Sequence, residues 1–307
     1  MNKTSITALM SAFGRAYHTQ NAENPIFPDT KVRELMTDEE YSMIAGYILS
    51  GIDFFAPDKK DSFQNNEETL KYLVNTQIAP TPLARAAFCE EVLKTSVQTG
   101  TEQYVILGAG LDTFAFREQE LLKRCEVFEL DHPLTQKDKK ERIRRAGWNL
   151  PEKLHFVPID FTKDNIGDKL IEAGFKPEEK TFISWLGVCM YLEQSAIEKV
   201  LQNLSSLAAD GSDLIFDYAD DGLFQAEGRR VQNTIAMAKA GGEEMKSCFD
   251  QMSLELMLSS YHLLTYEHLS RREIQNRFFS ERNDWLSAFE HINYVHAVLT
   301  QNSPPYK

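Results

Sequence analysis

A doubly wound α/β fold is what this sequence predicts, and three observations predict it. From about residue 103 to 220, short apolar runs alternate with helical segments. The runs are continuously apolar, as strands of a parallel sheet covered on both faces are. Flanking stretches, before 100 and after 222, follow helical spacing instead. One domain over 1–307 is therefore expected. It would comprise a helical extension (1–100), a ligand-binding core (101–220), a helical insertion (221–260) and closing strands (261–307).

Taken in order, Ile6, Leu9, Met10, Phe13 and Tyr17 mark a first amphipathic helix. Thr37-Asp38-Glu39-Glu40 is a capping box ahead of Tyr41, Ile44, Ile48, Leu49 and Ile52. Leu70, Leu73 and Val74 mark a third helix. Thr81-Pro82 offers an N-cap and a first-turn proline to a fourth, through Phe88, Val92 and Leu93. Strands are expected at Tyr104–Leu107, Val127–Asp131, His155–Asp160, Thr181–Leu186 and Leu214–Tyr218. A helix with Ile197, Val200, Leu201 and Leu204 precedes the last of these. Beyond a helical stretch over 222–258, Tyr261–Leu269 and Tyr294–Leu299 read as closing strands, with a capping box at Ser270-Arg271-Arg272-Glu273 between them.

Composition excludes several functions. Forty-six acidic against 33 basic residues give a net charge of −13, a field that repels phosphate backbones and anionic lipid surfaces. No nucleic acid and no membrane is expected as a partner. The basic run Lys137–Arg145 also holds Asp138 and Glu141 and reads as a solvated helix face. Met1-Asn2-Lys3-Thr4-Ser5 leads into an amphipathic segment and shows no signal peptide, and no run approaches the roughly 18 apolar residues of a span. Cys89, Cys125, Cys189 and Cys248 are scattered, as reduced thiols of a cytoplasmic protein would be. Cysteine and histidine spacing gives no metal site.

Ligands of an open α/β sheet bind outside the carboxyl ends of its strands. The first strand runs into Gly108-Ala109-Gly110-Leu111-Asp112-Thr113, whose two glycines permit a tight turn and close approach to a ligand. A dinucleotide fingerprint wants a third glycine where Thr113 stands. Asp131 ends the second strand, 21 residues after Gly110 (131 − 110), where a carboxylate can accept from both ribose hydroxyls or cap the following helix. Asp160-Phe161 ends the third, an acceptor beside an aromatic that suits adenine or an ordinary cap beside a core ring. Together they fit an adenosine ligand without a diphosphate, namely S-adenosyl-L-methionine, with S-adenosyl-L-homocysteine as product. The competing readings are a nicotinamide-dependent oxidoreductase and a non-catalytic S-adenosylmethionine-binding protein.

The block Gln103–Arg117 (QYVILGAGLDTFAFR), then Val127–Pro133 (VFELDHP), resembles the leucine carboxyl methyltransferase family, whose bacterial members include polyketide-type O-methyltransferases. Val157–Phe161, Ser184–Leu192, Leu83–Glu90 and the N-terminal block Thr7–His18 extend the resemblance. It implies a class I methyltransferase fold, a Rossmann-like, mostly parallel seven-stranded sheet with an antiparallel last strand. It also implies that Arg85 pairs with the cofactor carboxylate, Gly108, Ala109 and Gly110 line its methionyl and ribose part, Asp131 holds the ribose, and Asp160 and Phe161 hold the adenine. Many members carry an acidic residue where Leu186 stands, so any contact made by that carboxylate is absent or moved.

The expected reaction is methyl transfer to a carboxylate or hydroxyl of a small-molecule acceptor. Carboxylates need no base, whereas hydroxyls do. No catalytic base is spelled out. Tyr191, Asp217, Tyr218 and Asp220, at or after strand ends, and Tyr17 and His18 on the first helix are candidates to face the acceptor.

Overall fold

The computed structural model describes residues 5–161 and 163–300. Met1–Thr4, read above for a signal peptide, and the last seven residues of the expected closing segment lie outside these. The strands are β1 (Gln103–Leu107), β2 (Glu126–Asp131), β3 (Leu154–Pro158), β4 (Thr181–Trp185), β5 (Asp213–Ala219), β6 (Leu263–Leu269) and β7 (Ile292–Leu299). They form one sheet in the order β3-β2-β1-β4-β5-β7-β6. β1 to β5 pair in parallel, and β7 runs antiparallel between β5 and β6. The expected class I methyltransferase sheet is present. Its strand order turns back between β1 and β4, where a crevice must open because successive crossovers leave to opposite sides.

Strand alternation divides the core. Tyr104, Ile106, Val127, Phe182 and Ile215 point into one layer, shared with the N-terminal helices. Val105, Leu107, Phe128, Ile183, Trp185 and Phe216 point into the other. The longer helices are α1 (Ile6–Asn21), α2 (Asp38–Ser50), α3 (Asn66–Leu73), α4 (Pro80–Gln98), α5 (Pro133–Arg145), α6 (Ile166–Glu172), α7 (Gln194–Leu207), α8 (Arg229–Ala240) and α9 (Gln251–Ser260). Both expected capping boxes form, at Thr37–Glu40 and at Ser270–Glu273.

Two local expectations are corrected. α4 starts at Pro80, with Ala79 as an N-cap that has no side-chain bond, so Thr81 caps nothing. A π-turn over Val74–Ile78 carries α3 almost directly into α4, with Ala79 N–H donating to Val74 O at 2.9 Å. Pro80 then occupies a first-turn position, where its missing N–H costs nothing. The basic run on α5 is also not simply solvated. Lys139 is buried against Glu129 of β2, and Arg142 is buried against Glu40 and the Leu35 carbonyl. Charge spacing alone does not show that carboxylates wait beneath the helix.

The helical extension is locked to the sheet by Asp29, which is 1% exposed. Its carboxylate accepts from Arg15 Nη1 at 2.5 Å and from Thr113 Oγ1 at 2.7 Å. Arg15 Nη2 also donates to the Leu111 carbonyl at 2.9 Å. Thr113 is thus committed to the extension, and only a four-residue helix, Phe114–Arg117, follows it. A pyrophosphate-binding helix start of the dinucleotide kind is not built here.

A second clasp is His18, buried on α1, whose Nε2 accepts the Ile26 N–H at 2.9 Å. Burial, with Arg282 adding to it, pushes its pKa down to about 4. The folded ring stays neutral while the unfolded chain takes up a proton, so stability is complete at neutral pH and lost as pH falls through the window from 6.5 to about 4. Urea unfolding should show His18 costing about 2 kcal/mol between pH 7 and pH 5, a loss missing from His18→Gln. An identical pH slope in the two proteins would contradict this.

Candidate functional site

At the carboxyl ends of β1 to β4 lies a cavity of about 1300 Å³. Gly108, Ala109 and Gly110 after β1, Asp131 at the end of β2, Asp160 and Phe161 after β3, Arg85 on α4 and Tyr191 after β4 all line it. The β1 turn needs glycine at Gly108, where φ is +71° and a Cβ would sit 2.5 Å from Val188 Cγ2. Gly110 then offers its N–H to Asp131 Oδ2 at 2.5 Å, while Asp131 Oδ1 accepts from His132 N–H at 2.6 Å. Burial pushes the Asp131 pKa up, opposed by these two N–H groups, which favour the charged form. Each oxygen keeps a second lone pair. Asp160 is braced from behind by Lys163, whose Nζ donates to Oδ2 at 2.7 Å, and its N–H donates to Asp164 Oδ2.

Arg85 is set by a carboxylate that sequence reading placed near the acceptor. Asp217, fully buried on β5, accepts from Arg85 Nη1 at 3.0 Å through Oδ2 and from Gly187 N–H at 2.5 Å through Oδ1. Gly187 sits at φ +69°, and a Cβ there would lie 2.4 Å from the guanidinium nitrogens. The turn after β4 therefore has to be glycine for the arginine to lie over it. Burial works against the Arg85 charge, but Asp217 more than offsets it and the pKa is raised. Tyr191, beside this pair, is pushed up to about 12 by burial, against the pull of Arg85. Its phenol keeps its proton at neutral pH and is no base.

Two expected pocket residues lie elsewhere. Tyr218 is next to Asp217 on β5, so strand alternation turns it to the opposite face, where its hydroxyl pairs with His268 Nε2 at 2.9 Å. Tyr17 is buried in the helical layer, stacked on Phe13 with ring centroids 6.0 Å apart. α1 does reach the cavity, but with its first two turns and Arg15: Ala8 Cβ lies 3.4 Å from the Cβ position of Gly110. His18 is the clasp described above. Asp220 bonds His291 Nδ1 at 2.7 Å and is not on the lining.

The helical insertion expected over 221–260 supplies a cover, though sequence reading singled out none of its residues. Residues 236–238 and 240–246, at the end of α8 and in the loop after it, line the cavity opposite the sheet. Glu243 in that loop accepts from Ser5 Oγ at 2.8 Å and from Thr7 Oγ1, tying the loop to the start of α1. The Gly241-Gly242 doublet was the available signal, marking a turn between helices.

Removing the charge of Asp217 leaves Arg85 largely buried without its counter-ion, and breaking such a pair costs about 3–5 kcal/mol. Asp217→Asn should lose stability on that scale in urea unfolding. Gly187→Ala should also be destabilised, since the added methyl and the positive φ both oppose it. Wild-type stability in both variants would show that the cluster is not coupled as described.

The family model for leucine carboxyl methyltransferase matches residues 8–205. YktD of Bacillus subtilis (strain 168), classed among the S-adenosyl-L-methionine-dependent methyltransferases, is 47% identical over 300 residues, covering 97% of this chain and 98% of its own. A protein of the same class from Mycolicibacterium paratuberculosis is 28% identical, covering 78% and 73%. Among solved structures, a methyltransferase-type protein from Thermobifida fusca aligns with TM-score 0.56 at 12% identity, over 98% of this chain and 96% of its own, a likeness of fold. The chain belongs to the leucine carboxyl methyltransferase family and is an S-adenosyl-L-methionine-dependent methyltransferase.

Proposed function

We propose that the protein methylates an oxygen, carboxylate or hydroxyl, of a small-molecule acceptor. The observation that carries this reading is that polar strand-end groups and a second, unfilled region share one cavity, in a chain whose family is named for carboxyl methylation. A cofactor and an acceptor can meet there away from bulk water.

The residues present fit the cofactor. The Gly108–Gly110 turn permits close approach, and the free lone pairs of Asp131 suit ribose hydroxyls. Asp160 with Phe161 offers an acceptor and a ring for adenine. Arg85 makes one hydrogen bond among the described residues, to Asp217, which leaves donors of its fork for the cofactor carboxylate. S-adenosylmethionine supplies an activated methyl group on a sulfonium, whose departure needs no acid. What this chain adds is alignment and exclusion of water, which can lower a barrier by up to about 7–11 kcal/mol when geometry is ideal. The lining acids not assigned to the cofactor have partners: Glu90 with Arg117, Glu40 with Arg142, Glu244 with Lys239, Glu243 with Ser5 and Thr7, and Asp112 with the Phe114 N–H. A carboxylate acceptor therefore suits the site without further apparatus.

A tritiated-methyl screen over carboxylic acids, phenols, amines and thiols tests this. Label should enter acids or phenols, as esters that release methanol in mild base or as ethers that do not. Transfer to amines or thiols alone would refute the oxygen assignment. Cofactor binding without transfer to any class would favour the non-catalytic reading.

A further inference from the structure

The cavity is larger than its cofactor half requires. A pocket for one drug-sized ligand measures roughly 300–1,000 Å³, and this one measures about 1300 Å³. Its polar groups gather at the strand ends. Away from them, the lining drawn from α1, α2, α8 and the loop after α8 is mostly apolar, with Arg15, Glu40, Glu243, Glu244 and Lys246 as its charged members. Five of the nine methionines line the cavity, Met10, Met43, Met237 and Met245 on these elements and Met190 in the turn after β4. Methionine is unbranched and polarisable, and it adapts to apolar ligands of irregular shape.

Charge argues the same way. The lysine and arginine residues on the lining are Arg15, Arg85 and Lys246, and each already has a carboxylate partner: Asp29, Asp217 and Glu193. Among the described residues, no unpaired cation is offered to an anionic body. At the rim, Met43, Tyr47 and Phe54 line the same cavity yet are 67%, 67% and 47% exposed. A cluster of large exposed apolar side chains bordering a cavity marks a ligand path rather than ordinary surface.

We propose that the acceptor has an uncharged, extended apolar body, which runs from the methyl-transfer point along the methionine-lined wall to the rim formed by Met43, Tyr47 and Phe54. The inference rests on the methyltransferase reading and specifies its acceptor. Leu186, beside Gly187, lies on the same lining and adds a further apolar side chain.

The test uses the full chain saturated with S-adenosylhomocysteine and the neutral fluorescent probe N-phenyl-1-naphthylamine. The probe is displaced by 4-alkylphenols from ethyl to octyl. Each added methylene should tighten binding about threefold to fourfold, as burial of a CH₂ does. An ether chain of equal length in place of the alkyl chain should forfeit that gain. Met237→Glu should weaken octylphenol more than tenfold with S-adenosylhomocysteine affinity unchanged. A flat alkyl series, or ether chains that bind as well as alkyl chains, overturns the inference while cofactor binding stands. Failure of S-adenosylhomocysteine itself to bind overturns the reading beneath it.

Discussion

The carboxylate of Asp217 is the constraint on which the cleft depends. It is buried on β5, and with two oxygens it fixes the turn after β4 and the guanidinium of α4. Three elements distant in sequence are thereby set against one another at the switch point of the sheet. A buried ion pair of this kind contributes little net stability compared with apolar packing, but it is costly to break. Its effect here is positional. Asp29 plays the same part on the far side, where Arg15 and Thr113 meet and the helical extension is held against the glycine turn. The sheet supplies the floor of the site, and these two carboxylates determine where the walls stand.

The proposed transfer to a carboxylate draws on that arrangement and calls for no acid or base. On the proposed reading, the carboxylates at the strand ends and the guanidinium of Arg85 face the polar cofactor. The mostly apolar wall contributed by the extension and by the end of α8 would, on that reading, keep water from the transfer point. Tyr191, whose pKa burial raises further above neutral, is a polar contact within that wall. The proposed division of labour is spatial: the sheet ends would read the cofactor, and the helices added around them the acceptor.

The parts of this site legible in the sequence were those with a local grammar. Gly108-Ala109-Gly110, Asp131 and Asp160-Phe161 each follow an apolar run of strand length, so topology alone sends them to one edge. Arg85 became visible through family resemblance, since its helix carries no such signal. What escaped depended on pairing across the chain. Asp217 and Tyr218 are adjacent, and which of the two faces the cleft is settled by the strand's pleat. Lys139 and Arg142 looked solvated because Glu129 and Glu40 are remote in sequence. The methionine wall was hidden for the same reason, its members coming from α1, α2, α8 and two loops. The cover was legible as a helical stretch over 222–258, and a Gly-Gly doublet marked the turn within it that reaches the cavity.

The central claim is that the strand ends and Arg85 together read S-adenosylmethionine, the arginine recognising its carboxylate. Calorimetric binding of S-adenosylhomocysteine and of adenosine to wild type, Arg85→Lys and Arg85→Ala tests it most directly. The account predicts that S-adenosylhomocysteine weakens in the lysine variant, which keeps the charge and loses the fork, and weakens further in the alanine variant, while adenosine binds all three proteins alike. Equal losses for both ligands, or none for either, would contradict it.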